Sequence, residues 1–208
     1  PGTLVYSGNY QNGAFDSLTF VNSVVGWDLF FNSGFRGGST VIGNIEAGLV
    51  WTDHEVFVRP PDATTSVSTY TNTAAGVLNE VDFHATMVGH ILAGSGYIPD
   101  NGGSYTYAGL GMAPEATLIS GAVAVELSST DLGSFSTTEE SVVNAYQAFF
   151  QGVGVAKADV INSSWGGGDP SASAAESLAI DGLARQNASV ALVVSAGNGG
   201  DVPVGAPA

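Results

Sequence analysis

The chain has 208 residues, of which 44% are hydrophobic, and it carries 19 acidic but only 4 basic side chains. That length and apolar content predict one domain built around a single substantial core. The formal net charge of −15 would repel a nucleic-acid backbone or an anionic membrane, so neither is an expected partner.

The sequence lacks the signals of a membrane or disulfide-bonded protein. No run of about 18 apolar residues, the length of a membrane-spanning helix, occurs in it. The opening PGTLVYSGNY has no basic region followed by an apolar one, which suits a mature form whose targeting segment has been removed. Without cysteine, neither disulfides nor thiolate metal sites are possible, and the redox compartment stays open. Few cations and many Gly, Ser, Thr and Asn residues favour a secreted protein exposed to salt water or external proteases.

The first predicted element is a buried strand over residues 39–50, STVIGNIEAGLV, which is β-branched, apolar and interrupted by Gly48 near its end. A polar, turn-rich stretch over residues 59–82 follows and is interpreted as a surface excursion. After His84, apolar residues at positions 87, 88, 91 and 92 recur at helical spacing among small residues. This spacing predicts a short buried helix.

The second half of the chain repeats the alternation of strand and helix. A strand is predicted over residues 116–127, and a helix after it has Thr137 and Thr138 as candidate caps and two glutamates in its first turn. A third strand, ADVINSSW, covers residues 158–165, a helix covers about residues 173–186, and a fourth strand covers residues 189–197. This order predicts an α/β fold, a doubly wound parallel sheet with helices on both faces.

In sheets of this kind, function gathers just beyond the carboxyl ends of the strands. Four features are expected there: Glu46 with Gly48, the loop that leads to His84, and the segments SSWGG and SAGNGG. Their convergence is the strongest functional signal that the residues themselves give.

The order and spacing of these segments resemble the subtilisin-like serine proteases, the subtilases. VIGNIEAGL is similar to the family's first catalytic strand, HATMVGHILAG to its histidine motif and GLGMAPEATLI to the strand after it. VINSSWGG resembles the substrate-binding strand, VVSAGNGG the segment that ends in the oxyanion asparagine, and PVGAPA the turn that follows. The matched pieces run from about Gly34 to Ala208.

The resemblance implies a peptide-bond hydrolase that works by acyl transfer, with a role for each matched residue. His84 would be the general base and then the general acid. Glu46 stands where the family usually has aspartate and would fix the tautomer of the His84 ring, while Asn198 would donate to the oxyanion. The implied substrate-binding positions are Ser164, Trp165 and Gly166, which would offer backbone groups, and Ser195, Ala196 and Gly197, which would wall the pocket.

The sequence departs from the family pattern in three places. Glutamate at position 46 adds one methylene, and Ala85 and Met87 replace the glycine and the second histidine of the histidine motif. The serine motif, Gly-Thr-Ser followed by small residues and proline, does not occur. We therefore expect residues 1–208 to be the N-terminal part of one catalytic domain, inactive alone and paired noncovalently with a C-terminal fragment that supplies the serine.

The residues alone leave other interpretations open. His84 could be structural, Glu46 could cap a helix or pair with an arginine, and Asn198 could be a turn residue. Asp53 and Asp82 are competing acids for the histidine, and Trp165 could line the cleft or fill the core. For the whole protein, the alternatives are a catalytically inactive subtilisin-like peptide-binding module and an unrelated flavodoxin-like sheet protein.

Calcium is the one cofactor expected, because subtilases often carry it and the chain is rich in acids, although no EF-hand loop occurs. The candidate loop oxygens belong to Asp16, Asp53, Asp62, Asp100 and Asn101. Of the other two histidines, His90 is expected to be a packed core residue. His54 is expected in a loop, where its acidic neighbours at positions 53 and 55 could touch a metal.

Overall fold

The computed structural model describes residues 9–11, 14–16, 26–59, 64–99, 105–128, 134–167 and 171–197. Within these ranges the strands are β1 (Asn9–Gln11), β2 (Ala14–Asp16), β3 (Val41–Glu46), β4 (Val58–Arg59), β5 (Thr64–Thr65), β6 (Val67–Tyr70), β7 (Ser95–Pro99), β8 (Tyr105–Leu110), β9 (Thr117–Ala122), β10 (Ala124–Leu127), β11 (Phe135–Thr137), β12 (Val160–Ser163) and β13 (Ala191–Val194). The α-helices are α1 (Trp27–Asn32), α2 (Phe83–Ala93), α3 (Glu139–Gln151) and α4 (Ala175–Gln186).

Five parallel strands form the central sheet, in the order β13-β12-β3-β9-β6. After β3 the chain reaches β9 on one side of that strand, and the connection through α3 then returns it to β12 on the other side. The strand order therefore reverses at β3, and such a switch point opens a crevice beyond the carboxyl end of the strand. Glu46 is the last residue of β3, so the topology places its carboxylate at this crevice.

Both faces of the sheet are covered, as expected from the continuous apolar strands. Alternate residues of β3 point to opposite faces. Ile42 packs in a core cluster with Ala85 and Ala93 of α2, whereas Ile45 packs with Tyr146 and other aromatic residues of α3. Full burial of a side chain such as Ile45 contributes about 1.5–3 kcal/mol. The expected doubly wound α/β architecture is confirmed.

The start of α3 shows how local sequence sets a helix boundary. Thr138 accepts a hydrogen bond from the Ser141 N–H at 3.1 Å, and the Ser141 hydroxyl accepts one from the Thr138 N–H at 3.0 Å, which forms a capping box. Of the two candidate caps, Thr138 therefore caps the helix and Thr137 lies in β11. Gly152 ends α3 with φ of 74°, a conformation that favours glycine.

Among the described residues, no helix is long and apolar enough to span a bilayer.

Two sequence-based predictions about strands are wrong. Residues 59–82 are more than a surface excursion, because Val67–Tyr70 forms the edge strand β6, in which Val67 is buried while Ser68 and Thr69 are exposed. Such an edge strand has one neighbour and one covered face, so its apolar signal is weak. The predicted strand over residues 116–127 is divided: β9 ends at Ala122, and β10 leaves the sheet to pair antiparallel with β11.

Candidate active site

A short stretch of backbone pairing joins the loop after β3 to the segment before α2. The Leu49 N–H donates to the Glu80 carbonyl at 2.7 Å, and the Asp82 N–H donates to the Leu49 carbonyl at 2.8 Å. Between these bonds Leu49 forms a parallel bridge with Val81. This pairing brings position 84 next to position 46, although 38 residues separate them in the chain.

Asp82, one of the competing acids, caps α2. Its Oδ2 accepts a hydrogen bond from the Ala85 N–H at 2.8 Å, and its carbonyl accepts one from the Thr86 N–H at 3.1 Å. The negative charge of a carboxylate at this position also interacts favourably with the positive, N-terminal end of the helix dipole. The Asp82 side chain is therefore engaged with the helix backbone, which leaves orientation of the His84 ring to Glu46.

The carboxylate of Glu46 holds two donors at once. Its Oε2 lies 3.0 Å from His84 Nδ1, and its Oε1 accepts a hydrogen bond from the Ser164 N–H at 2.9 Å. Only 1% of the Glu46 side chain is exposed, so these contacts replace water as its hydrogen-bond partner. Glutamate thus reaches the imidazole despite the additional methylene, and its second oxygen is anchored to the segment after β12.

The environment of His84 raises its pKa above the ordinary value of 6.5. The main cause is the hydrogen bond with Glu46; partial burial opposes it, and the negative charges of Glu46 and Asp82 raise the pKa further. The His84 side chain is 42% exposed. Because Nδ1 is bonded to a carboxylate, Nε2 is the ring nitrogen that remains to exchange a proton with a nucleophile.

The predicted substrate-binding segments lie beside this pair, after β12 and β13. The Ser195 N–H donates to the Ser163 carbonyl at 3.0 Å, and the Ser195 hydroxyl donates to the Trp165 carbonyl at 3.1 Å, so the two segments are tied together. Gly166, Ala196 and Gly197 are exposed.

Two of these residues are already engaged within the protein. The Ser164 N–H donates to Glu46, so the carbonyl of Ser164 is the backbone group that remains for a peptide. Trp165 is only 8% exposed, and its ring packs edge-to-face against Phe135, with ring centroids 5.7 Å apart. Of the two interpretations of Trp165, the ring therefore fills the core, and only its backbone borders the cleft.

Asn198, the expected oxyanion donor, lies outside the described residues, as do the calcium candidates Asp62, Asp100 and Asn101. Asp53 is an exposed turn residue, and Asp16 is described as a member of β2. Across the described ranges, no three histidine or acidic side chains come together in a way that could hold a metal ion.

The other two histidines have structural positions. His90 lies buried on α2, as expected of a core residue. His54 precedes a 3-10 turn over Glu55–Phe57, and its Nδ1 accepts a hydrogen bond from the Val56 N–H at 3.3 Å. Burial lowers the His54 pKa, and the charge of Glu55 opposes that shift. The neutral ring that makes this contact is thereby favoured.

A row of polar side chains beneath the Glu46–His84 pair was missed by sequence reasoning. Asn44 on β3 is in register with Asn162 on β12 and with Ser120 on β9. All three residues belong to strands that are otherwise mainly apolar, and Asn44 lies two positions before Glu46, on the same face. A polar residue at i−2 from a candidate catalytic acid was the available signal.

Comparison with known proteins gives a family match and solved structures of similar fold. The model of the Subtilase family (Peptidase S8) matches residues 37–208. No curated protein matches the chain. Among solved structures, the CspB protease of Clostridium perfringens aligns with a TM-score of 0.57 at 15% identity, covering 84% of this chain and 39% of that one.

Two further solved structures are similar. MycP1 from the ESX-1 type VII secretion system aligns with a TM-score of 0.53 at 21% identity, covering 93% of this chain and 49% of that one. MycP1 from Mycobacterium smegmatis gives the same TM-score and identity, with 93% and 48% covered. The chain thus spans less than half of the length of each of these structures.

The family model covers residues 37–208, which is most of the chain. The chain therefore belongs to the subtilase family.

Proposed function

We propose that the chain is the N-terminal part of the catalytic domain of a serine endopeptidase, which cleaves peptide bonds by acyl transfer. The observation that carries this proposal is the contact between the buried Glu46 carboxylate and His84 Nδ1, at 3.0 Å. In this arrangement the carboxylate fixes the ring tautomer and stabilises the imidazolium that forms during the reaction. Membership of a peptidase family supports a polypeptide substrate.

In the proposed reaction, Nε2 of His84 takes the proton of a serine hydroxyl while the serine oxygen attacks the carbonyl carbon of the substrate. The resulting oxyanion would accept a hydrogen bond from the Asn198 side chain; loss of such a donor costs about 10²–10³ in rate, a magnitude that was itself measured in a subtilisin. His84 then protonates the leaving amine as the C–N bond breaks. Water, activated by the same imidazole, hydrolyses the acyl-enzyme.

The extended substrate would lie along the segments after β12 and β13. The carbonyl of Ser164 and the backbone of Trp165 and Gly166 are the proposed contacts on one side. The exposed Ala196 and Gly197 lack bulky side chains, so the pocket that they border would admit a large apolar residue before the cut.

The serine would come from a C-terminal segment or chain outside residues 1–208. The edge strand β13 supports this arrangement: within the described residues it pairs with β12 alone, and Val193 on it is 53% exposed. On the neighbouring helix α4, Leu178 is 59% exposed. A parallel edge with apolar residues on its flank is a surface that further strands would cover.

The test is labelling with a fluorophosphonate, which reacts with an activated serine. In the protein encoded by the complete reading frame, the polypeptide that carries the serine should take up the label. His84→Gln should abolish labelling, whereas His54→Gln should leave it intact because His54 lies outside the proposed site. Mass spectrometry of the same sample distinguishes one continuous chain from two noncovalently paired pieces.

Absence of label from a folded, complete protein would contradict the enzyme proposal. If that protein nevertheless bound extended peptides tightly, the alternative of an inactive peptide-binding module would hold. We also propose that the protein is secreted and that it binds a structural calcium ion. Assay of the culture medium tests the location. Thermal unfolding with and without a calcium chelator tests the ion.

A further inference from the structure

A closed circuit of hydrogen bonds runs beneath the catalytic pair. Asn162 Nδ2 donates to Asn44 Oδ1 and to Ser164 Oγ, each at 3.1 Å, as its two protons allow. Asn44 Nδ2 donates in turn to the Ala85 carbonyl at 3.3 Å. Ala85 follows His84 in the first turn of α2. The Ser164 N–H donates to Glu46, and Glu46 contacts His84, the chain neighbour of Ala85. These contacts close the circuit.

We propose that Asn44 is a positioning residue: together with Asn162 it fixes the first turn of α2, and therefore the His84 ring, against the Glu46 carboxylate. This positioning role depends on the proposed function only for the kinetic part of its test, in which the rate of peptide cleavage is measured. Asn44 is fully buried, and it acts through its hydrogen bond to the helix backbone at Ala85. Asn162 sets the other side of the circuit by holding Ser164.

The cost of this arrangement argues for a role beyond packing. Asn44 is fully buried on the central strand of the sheet, between apolar residues, where leucine would add apolar burial. Burying an amide costs about 1–3 kcal/mol when its hydrogen bonds are incomplete, and the Asn44 donor reaches its carbonyl only at 3.3 Å. Departures from an apolar core pattern are expected where a site is held in place.

Ser120 offers a matched comparison within the same row. It lies one strand away from Asn44, is equally buried, and accepts a hydrogen bond from the Val50 N–H at 2.8 Å. Its hydroxyl makes no bond to Asn44 or Asn162 among the described contacts. Ser120→Ala should therefore destabilise the fold without breaking the hydrogen bonds of Asn44 and Asn162.

The experiment is an NMR titration of His84 in the complete protein, for wild type, Asn44→Leu, Asn162→Leu, the double variant and Ser120→Ala. The groups that set the His84 midpoint are Glu46 and Asp82, and both remain in every variant. In Asn44→Leu the midpoint should fall by about 0.5 pH units or more, because the contact with Glu46 is loosened. The low-field signal of the proton between His84 and Glu46 should weaken as well.

Peptidase kinetics give a second readout. Misplacement of the base should lower kcat by about 10- to 100-fold and leave KM nearly unchanged. Because both asparagines act through one circuit, the double variant should be little worse than Asn44→Leu alone. If Asn44→Leu does not fold, Asn162→Leu, altered at a half-buried position, carries the same test.

An unchanged His84 midpoint in Asn44→Leu and Asn162→Leu, with a loss of stability like that of Ser120→Ala, would overturn the proposal. The titration can be read whether or not the protein cleaves peptides, so this failure is distinct from failure of the protease proposal. That second failure would show itself as absence of fluorophosphonate label in the wild-type protein.

Discussion

Gly48 and Asp82 approach so closely that a Cβ on Gly48 would lie 2.6 Å from the Cβ of Asp82 and 2.6 Å from the Glu80 carbonyl oxygen. Glycine at position 48 is therefore a condition for the pairing that brings the start of α2 to the end of β3. Space, rather than backbone flexibility, is what the position requires, since Gly48 is not among the residues with positive φ.

Gly48→Ala should push the segment that carries Asp82 away from β3, and with it His84. We expect a loss of about 1–3 kcal/mol in the free energy of unfolding, as for other overpacked sites, together with reduced peptidase activity. Gly182→Ala on α4 is the control, because nothing lies within 4 Å of the added Cβ. It should be neutral or stabilising by up to about 1 kcal/mol. Denaturant unfolding measures both, and equal stability of the two variants would contradict the argument.

Glu46→Gln tests the double role of the carboxylate. The His84 ring and the Ser164 N–H both donate to position 46 in the active tautomer, and the glutamine amide has only one acceptor oxygen. We expect kcat to fall by about 10⁴, the value known for the equivalent change in a Ser-His-Asp triad. The pKa of His84 should also fall, because the contact that raises it most is lost.

The pH dependence of kcat/KM shows the direction in which Glu46→Gln shifts the pKa of His84. In the proposed mechanism the neutral imidazole is the base, so the acid limb of kcat/KM should have its midpoint above 6.5 in the wild type and at lower pH in Glu46→Gln. Glu46→Asp is the companion variant. Its side chain is one methylene shorter and should lose one of the two contacts, so its activity should differ from that of the wild type. Unaltered kinetics in both variants would exclude contact between position 46 and the imidazole.

His54 should make the fold sensitive to acid. Its pKa is lowered mainly by burial, so the stability it contributes is present above its unfolded value of 6.5 and is lost as the pH falls through its folded value. Protonation would also remove the Nδ1 acceptor of the Val56 N–H. Urea unfolding between about pH 8 and pH 5 should show a smaller loss of stability for His54→Asn, which keeps a capping acceptor that does not titrate.

His84 contributes to the same curves with the opposite sign. Its pKa is raised, so its contribution is complete below 6.5 and disappears as the pH rises through its folded value. His84→Gln should therefore steepen the acid-induced loss of stability, while His54→Asn flattens it. Parallel curves for the two variants would contradict the assignment.

The Tyr146–Ser163 contact couples α3 to the strand that ends beside the site. The phenol and the Ser163 hydroxyl are both buried and lie 2.7 Å apart, and burial raises the Tyr146 pKa to about 12. Tyr146→Phe leaves the serine hydroxyl without this partner and should cost about 1–3 kcal/mol of stability. The double variant with Ser163→Ala should cost less than the sum of the two single changes, as a double-mutant cycle would show. Strict additivity would mean that the bond contributes nothing.

Local sequence was sufficient for the main elements of the sheet. The apolar runs around β3, β9, β12 and β13 and the periodic segments of α2, α3 and α4 were predicted, because burial on both faces of a parallel sheet leaves a continuous apolar signal. Strand β6 was not predicted because it lies at the edge of the sheet. Its sequence has a single buried valine among polar residues, a pattern that is typical of a loop.

The sequence by itself determined that a carboxylate, a histidine and two glycine-containing loops follow strands or open a helix at one edge of a parallel sheet, because strand direction fixes where each strand ends. It did not decide which acid meets the imidazole. Asp82 is two residues from His84 and Glu46 is 38 residues away, yet Asp82 binds the helix backbone and Glu46 binds the ring. Only the tertiary structure settles this choice, because it depends on backbone pairing around Leu49, on the space left by Gly48 and on the packing of α2 against β3.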